Sequence, residues 1–246
     1  MNGRRVLVTG SSRGIGRQIA LKLGEEGWKV ATHYVNQAEE AHKVETELDE
    51  AAHGCYRADL SEADGPNRLW QAALADGPIH ALVNNAGIYV PQSFMAPTEA
   101  FEATFAKTWA INFVAPVKLM RLAIEHFERT APGSIVNVAS RVGFRGEANA
   151  SIYAASKAAL INLTRSLAVE LAPKQIGVFG IAPGWVDTAM SRNGMDERMP
   201  EILAGIPLGR MASPSDCAAV VAFLLSKDAA YLSGMVIDIN GASYFH

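Results

Sequence analysis

Cysteine is almost missing from this sequence: its 246 residues include two, Cys55 and Cys217, each inside what reads as a regular element. A disulfide framework is thereby excluded, no metal site is expected, and a reducing compartment, the cytoplasm, is the expected location. An excess of one charge is missing too. The 22 basic and 25 acidic residues leave a net charge of −3, and no basic run offers a footing to nucleic acid or a membrane surface. Long apolar runs are also lacking. The opening "MNGRRVLVTG" carries a stretch far too short for a signal peptide or a membrane span. Internal repeats and low-complexity linkers do not occur. What remains is 49% hydrophobic and 19% charged, an ordinary globular composition. Its length suits one large domain or two small ones, and α/β chains of this size are often single domains.

Short β-branched runs alternate with longer amphipathic stretches. Strands are predicted at 5–10, 28–35, 54–60, 79–87, 133–140, 176–184 and 234–241. Helices are predicted at 14–27, 37–52, 62–75, 98–111, 112–130, 151–173 and 214–226. Strand following helix in this way implies an α/β, doubly wound Rossmann fold, with a single parallel seven-stranded sheet covered by helices on both faces. Residues 1–246 are expected to form one dinucleotide-binding domain, and such sheets bind ligands at the carboxyl ends of their strands.

Two short motifs stand out. "TGSSRGIG" (9–16) lies where the first strand meets the first helix, so Gly10, Gly14 and Gly16 would let a diphosphate approach the helix N-terminus, whose free N–H groups favour anions. The plainer reading is a tight turn, and the spacing departs from G-x-G-x-x-G. "SIYAASKAAL" (151–160) puts Tyr153 and Lys157 on one helical face. Chance supplies about 0.2 such pairs in a chain with six tyrosines and eight lysines, and a packed phenol beside a lysine with its head in water is the bland alternative.

A T-G-x-x-x-G-x-G loop, an N-N-A-G after the fourth strand and a Tyr-x-x-x-Lys pair together resemble the short-chain dehydrogenase/reductase family. "ADL" (58–60), "IN" (111–112), "VNVAS" (136–140), "APGWVDT" (182–188) and "DING" (238–241) match in order, so the resemblance covers essentially the whole chain. It implies a catalytic set of Asn112, Ser140, Tyr153 and Lys157. Tyr153 would exchange a proton with the substrate oxygen, its pKa lowered from about 10 by the Lys157 ammonium and by the positive nicotinamide of the oxidised cofactor. Ser140 would hydrogen-bond that oxygen, Lys157 would reach the nicotinamide ribose, and Asn112 would hold a water. Singly, Ser140 and Asn112 read as turn or cap residues.

The same resemblance implies a cofactor site of Gly10, Ser12, Arg13, Gly14, Ile15, Gly16, Tyr34, Asp59, Leu60, Asn85, Ala86, Gly87, Tyr153, Lys157, Pro183, Gly184, Val186 and Thr188. Tyr34 stands where an NAD-selecting acid would be, and Arg13 precedes the second glycine, so NADP(H) is expected over NAD(H).

The relatives most similar in look are the 3-oxoacyl-(acyl-carrier-protein) reductases, which implies a small-molecule or acyl-thioester carbonyl substrate and admits an acyl carrier protein as partner, with Lys174 and Arg129 as part of a basic surface for it and an ordinary solvated surface as the plainer reading. "RVGFRGEANASI" (141–152) departs from their pattern, and Gly180 and "DING" do as well. Another ketone, diketone or sugar-like alcohol therefore stands as the alternative, with Ser140, Arg141, Arg145, Tyr153 and Trp185 as substrate-binding candidates and a solvent-facing arginine as the plainer reading. A non-catalytic NADP-binding sensor is a distant third. Residues 189–209 read as a substrate lid. The 151–173 helix is apolar on more than one face, and the family's assembly implies a homotetramer.

Overall fold

The computed structural model describes residues 3–189 and 198–246. Seven strands, β1 (Arg5–Val8), β2 (Lys29–Tyr34), β3 (Ala52–Arg57), β4 (Ala81–Asn84), β5 (Ser134–Val138), β6 (Gly177–Pro183) and β7 (Val236–Ile239), form one sheet. Their order is β3-β2-β1-β4-β5-β6-β7, and every neighbouring pair is parallel. The switch in direction beside β1 and β4 opens a crevice at the carboxyl edge, where ligands of such sheets bind.

The α-helices among the described residues are α1 (Gly14–Glu25), α2 (Ala38–Leu48), α3 (Gly65–Ala75), α4 (Thr98–Trp109), α5 (Ala115–Arg129), α6 (Ser151–Leu171), α7 (Met199–Ala204) and α8 (Pro214–Leu224). Residues in the strands alternate between two cores. Val6, Val8, Val83 and Val136 pack with Ile19 and Leu23 of α1 and with Cys217 and Val221 of α8. Leu7, Leu82 and Ile135 pack with Trp70 of α3, Leu119 of α5 and Leu160 of α6. Both faces being covered explains why the strands read as apolar runs rather than alternating ones. Local signals set the helix starts as well. Ser213 accepts from the Asp216 N–H while Asp216 accepts from the Ser213 N–H, a capping box ahead of Pro214 that fixes where α8 begins.

Polar side chains cross the second core. Asn84 Nδ2 donates to Asn137 Oδ1 at 2.9 Å, Asn137 Nδ2 to Thr164 Oγ1 at 2.9 Å, and Thr164 Oγ1 to the Leu160 carbonyl at 2.8 Å.

Three expectations change. The helices predicted at 98–111 and 112–130 are one path, α4 and α5 joined by a π-turn over 110–114 in which the Ala115 N–H reaches the Ala110 carbonyl. Pro116 has no N–H for the Asn112 carbonyl four residues back, so a regular α-helix cannot run through. β3 begins at Ala52, two residues before the predicted strand. Part of the expected lid is the short helix α7, and residues 190–197 of it lie outside the described residues. No described helix is long and apolar enough to cross a membrane.

Candidate active site

A cavity of about 620 Å³ runs along the carboxyl edge of the sheet from the glycine loop to the start of α6. At its first end, Gly10 and Gly14 have φ of +63° and +57°, the left-handed region that L side chains disfavour. Gly16 is required for a different reason: a Cβ there would stand 2.3 Å from both Asn85 Nδ2 and the Gly10 carbonyl. Helix α1 therefore begins tight against the sheet. Its N-cap, Arg13, makes no side-chain capping bond and its first turn holds no acid, leaving N–H donors and the positive dipole end to the cavity. This cradle fits a dinucleotide diphosphate.

His33 braces the loop. Its Nδ1 accepts the Gly10 N–H at 2.9 Å and its Nε2 lies 3.0 Å from the Ala58 carbonyl, so the proton sits on Nε2 and the ring is neutral. Burial pushes the imidazole down to about 4. Asn85 Nδ2 ties the N-N-A-G turn to the Thr9 and Gly10 carbonyls, at 2.8 and 3.0 Å. Asp59 accepts from the Ser61 N–H and hydroxyl at 2.8 and 2.6 Å, and these bonds hold its carboxyl below the usual range.

At the other end, Ser140 leaves β5, and Tyr153 and Lys157 come from the first two turns of α6. Burial pushes the Tyr153 phenol up to about 12, with the neighbouring Ser140 hydroxyl pulling the other way. Lys157 is 4% exposed, donates from Nζ to the Val138 carbonyl at 2.7 Å, and is held at about 8 by burial. Its Nζ stands 5.8 Å from the Tyr153 ring centre. The buried lysine head sets aside the bland alternative of a head in water, and in the protein without cofactor burial raises the phenol. Tyr89 packs edge-on against Tyr153, with ring centres 5.1 Å apart.

The cavity brings together Gly10, Ser12, Arg13, Gly14, Ile15, Gly16, Tyr34, Asp59, Leu60, Asn85, Ala86 and Gly87 with Ser140, Arg141, Tyr153, Lys157, Pro183, Gly184, Trp185, Val186 and Thr188. Asn112 and Arg145 do not line it. Asn112 is fully buried, and its amide is used on the Ile88 N–H and carbonyl, both at 2.9 Å. Pro116, lacking an N–H, cannot bond the Asn112 backbone carbonyl. Arg145 is exposed and lies over the Tyr244 ring at 5.9 Å. Arg141 is the reverse of a solvent-facing arginine, being 6% exposed.

Sequence reasoning missed His33, Tyr89, Lys107 and Glu147 on the lining. Only Glu147 had a signal, as a charge in the segment between Ser140 and Tyr153. Arg129 and Lys174 sit ahead of β5 and β6, at the amino edge of the sheet, and Lys174 is paired with Glu128. Gly180 has a packing reason, since a Cβ there would meet Val236 Cγ2 at 3.0 Å. The fold also groups His42, Glu45 and Cys55 within 4.8 Å of one another, outside the cavity, with His42 already paired to Glu45 at 2.9 Å.

A family model described as Enoyl-(Acyl carrier protein) reductase matches residues 10–242. The 3-oxoacyl-[acyl-carrier-protein] reductase FabG of Staphylococcus aureus is 36% identical over 244 residues, 98% of each chain. Among solved structures, a blue fluorescent protein from a metagenomic library, in complex with NADPH, superposes with a TM-score of 0.90 at 32% identity over 99% of each chain. The 3-ketoacyl-(acyl-carrier-protein) reductase of Brucella melitensis, complexed with NADH, gives 0.88 at 30% identity, again over 99% of each. On the glycine cradle, the Tyr153–Lys157 pair and full-length likeness, this chain belongs to the short-chain dehydrogenase/reductase family and is an oxidoreductase.

Proposed function

We propose that residues 1–246 form one dinucleotide-binding domain that interconverts a ketone and a secondary alcohol with NADP(H). The observation that carries this reading is the meeting of Ser140, Tyr153 and Lys157 at one end of a cavity whose other end is the glycine cradle. Bound NADP(H) supplies or takes the hydride. Tyr153, protonated at neutral pH, donates its proton to the substrate oxygen in reduction. Ser140 hydrogen-bonds the same oxygen, and buried Lys157 places a positive charge beside the phenol.

Preference for NADP(H) rests on Arg13, at the cavity mouth with Tyr34, Val35, Asn36 and Gln37, among which no carboxylate stands to bind a 2′-hydroxyl. Relatives acting on 3-oxoacyl carrier proteins support an acyl-thioester carbonyl as the first substrate. A second reading, a more polar ketone, is favoured by Arg141 and Glu147 on the lining. Two free cysteines support a cytoplasmic location. Exposed Phe105, Val114 and Val169 on the α4–α6 side, and Met235 beside the open edge strand β7, support a homotetramer. Light scattering that shows only monomer removes that assembly.

The test is NADPH oxidation by the purified protein with an acetoacetyl thioester and a panel of ketones, beside Tyr153→Phe. Turnover that falls by roughly 10²-fold or more in the variant, with NADPH affinity retained, supports the reading. Equal turnover in the two proteins overturns it, and NADPH binding without turnover of anything points to the sensor.

A further inference from the structure

Arg141 is a buried guanidinium with little to do. Its Nη1 donates to Ser243 Oγ at 2.9 Å, its Nη2 stands 4.0 Å from Glu147 Oε2, and its Nε–H has no partner. A guanidinium has five donors, and 4.0 Å is beyond a hydrogen bond, so most of this fork is unused. Buried polar groups are rarely left in that condition without a ligand or water to meet them.

The fork is also held from behind. Asn240, in the "DING" segment, donates to the Tyr244 carbonyl at 2.8 Å and accepts the Ser243 N–H at 3.1 Å. The Tyr244 hydroxyl donates to the Phe144 carbonyl at 3.2 Å, and the His246 ring stacks on Phe144 at 3.7 Å. Residues 243–246 thus clamp the segment that follows Ser140, and Ser243 sets the angle of Arg141. In front, the Trp185 ring lies 5.9 Å from the guanidinium carbon. Arg141, Glu147, Trp185 and Tyr89 all line the cavity that holds Ser140 and Tyr153.

We infer that this wall recognises the hydroxyl groups of a polyhydroxylated, sugar-like ketone, with Arg141 donating and Glu147 accepting. A hydroxyl does both at once, and the flat faces of Trp185 and Tyr89 suit the C–H face of a polyol. An alkyl chain leaves the fork and the carboxylate unmet. A ligand carboxylate would meet Glu147 as a like charge. The inference rests on the ketone–alcohol reading of the site and takes the more polar of its two substrate readings.

The test measures NADPH oxidation with D-fructose and dihydroxyacetone against 2-pentanone and an acetoacetyl thioester, and NADP+ reduction with D-sorbitol. Hydroxylated substrates are expected to exceed 2-pentanone in kcat/KM by about 10-fold or more. Arg141→Ala should remove that preference through KM, raising KM for the hydroxylated substrates by about 10-fold more than for 2-pentanone. Arg141→Lys, which keeps the charge but not the fork, should recover only part of it. Turnover of the thioester with none of the hydroxylated compounds overturns the inference while the ketone–alcohol reading stands. No turnover of anything overturns both, and an Arg141→Ala enzyme that loses all substrates equally overturns the recognition role alone.

Discussion

Lys157 puts an ammonium into a site that disfavours it, and the cost is measurable. Burial holds it at about 8, against 10.5 for the free side chain. A base with a lowered folded pKa opposes folding while it is charged. The opposition is complete below about pH 8 and is relieved as pH rises towards 10.5, a span corresponding to about 3 kcal/mol. Lys157→Met removes the ammonium and keeps most of the stem, but strips the Val138 carbonyl of its 2.7 Å partner. That lost bond offsets about 1–2 kcal/mol. The variant should therefore be inactive, yet as stable as wild type at pH 7 or up to about 2 kcal/mol more stable. Between pH 7 and 9.5 the wild type should gain about 2 kcal/mol on the variant, or roughly 4–8 °C in Tm for a chain of this size. Tyr153 and the other titrating groups are present in both proteins and cancel in the difference. Urea unfolding at the two pH values decides it. Parallel pH slopes, or a variant about 2 kcal/mol less stable at pH 7, refute the idea that a charged lysine is held there against its solvation.

Further outcomes follow from the cofactor end. Arg13→Ala should weaken NADPH binding by about 10- to 100-fold and NADH binding far less, by the loss of a charged phosphate contact; fluorescence titration of both cofactors checks this. Gly16→Ala should abolish cofactor binding, because its Cβ would sit 2.3 Å from the Gly10 carbonyl, and calorimetric titration with NADPH reads that directly. His33, neutral with its pKa at about 4, contributes stability that is full above 6.5 and lost as pH falls towards 4, a span of about 3 kcal/mol. In His33→Asn that acid-side slope should flatten, and equal slopes in denaturant melts at pH 4.5 and 7 would count against the buried neutral ring.

Most of the fold was legible because each strand is buried on both faces and each helix on one, and those patterns survive in a single sequence. Boundaries were less so. The carboxyl ends of the predicted strands at 79–87 and 133–140 overran the sheet, since the apolar and small residues continue into the loops that carry Asn85–Gly87 and Ser140. The glycine loop and the Tyr153–Lys157 pair were visible as local spacings. Tyr89 and His33 were not, because each joins the cavity through contacts made far along the chain: Tyr89 against Tyr153, His33 against Gly10. The fate of Asn112 was hidden for a related reason. An asparagine in a helical run says nothing about what its amide will meet, which here is the Ile88 N–H and carbonyl.

The amide chain of Asn84, Asn137 and Thr164 has a consequence for how the chain finds its sheet. Asn84 and Asn137 are direct partners in the register of β4 and β5, beside the branched aliphatics Leu82, Val83, Ile135, Val136 and Val138. Aliphatic strands pair almost as well one position out of step, since greasy surface meets greasy surface either way. A shift of one residue here would turn both amides towards the opposite core and strand them without partners. The two asparagines thus act as an alignment key at the centre of the sheet, and the alignment they enforce is the one that brings Ser140, one strand-end away, level with the glycine loop.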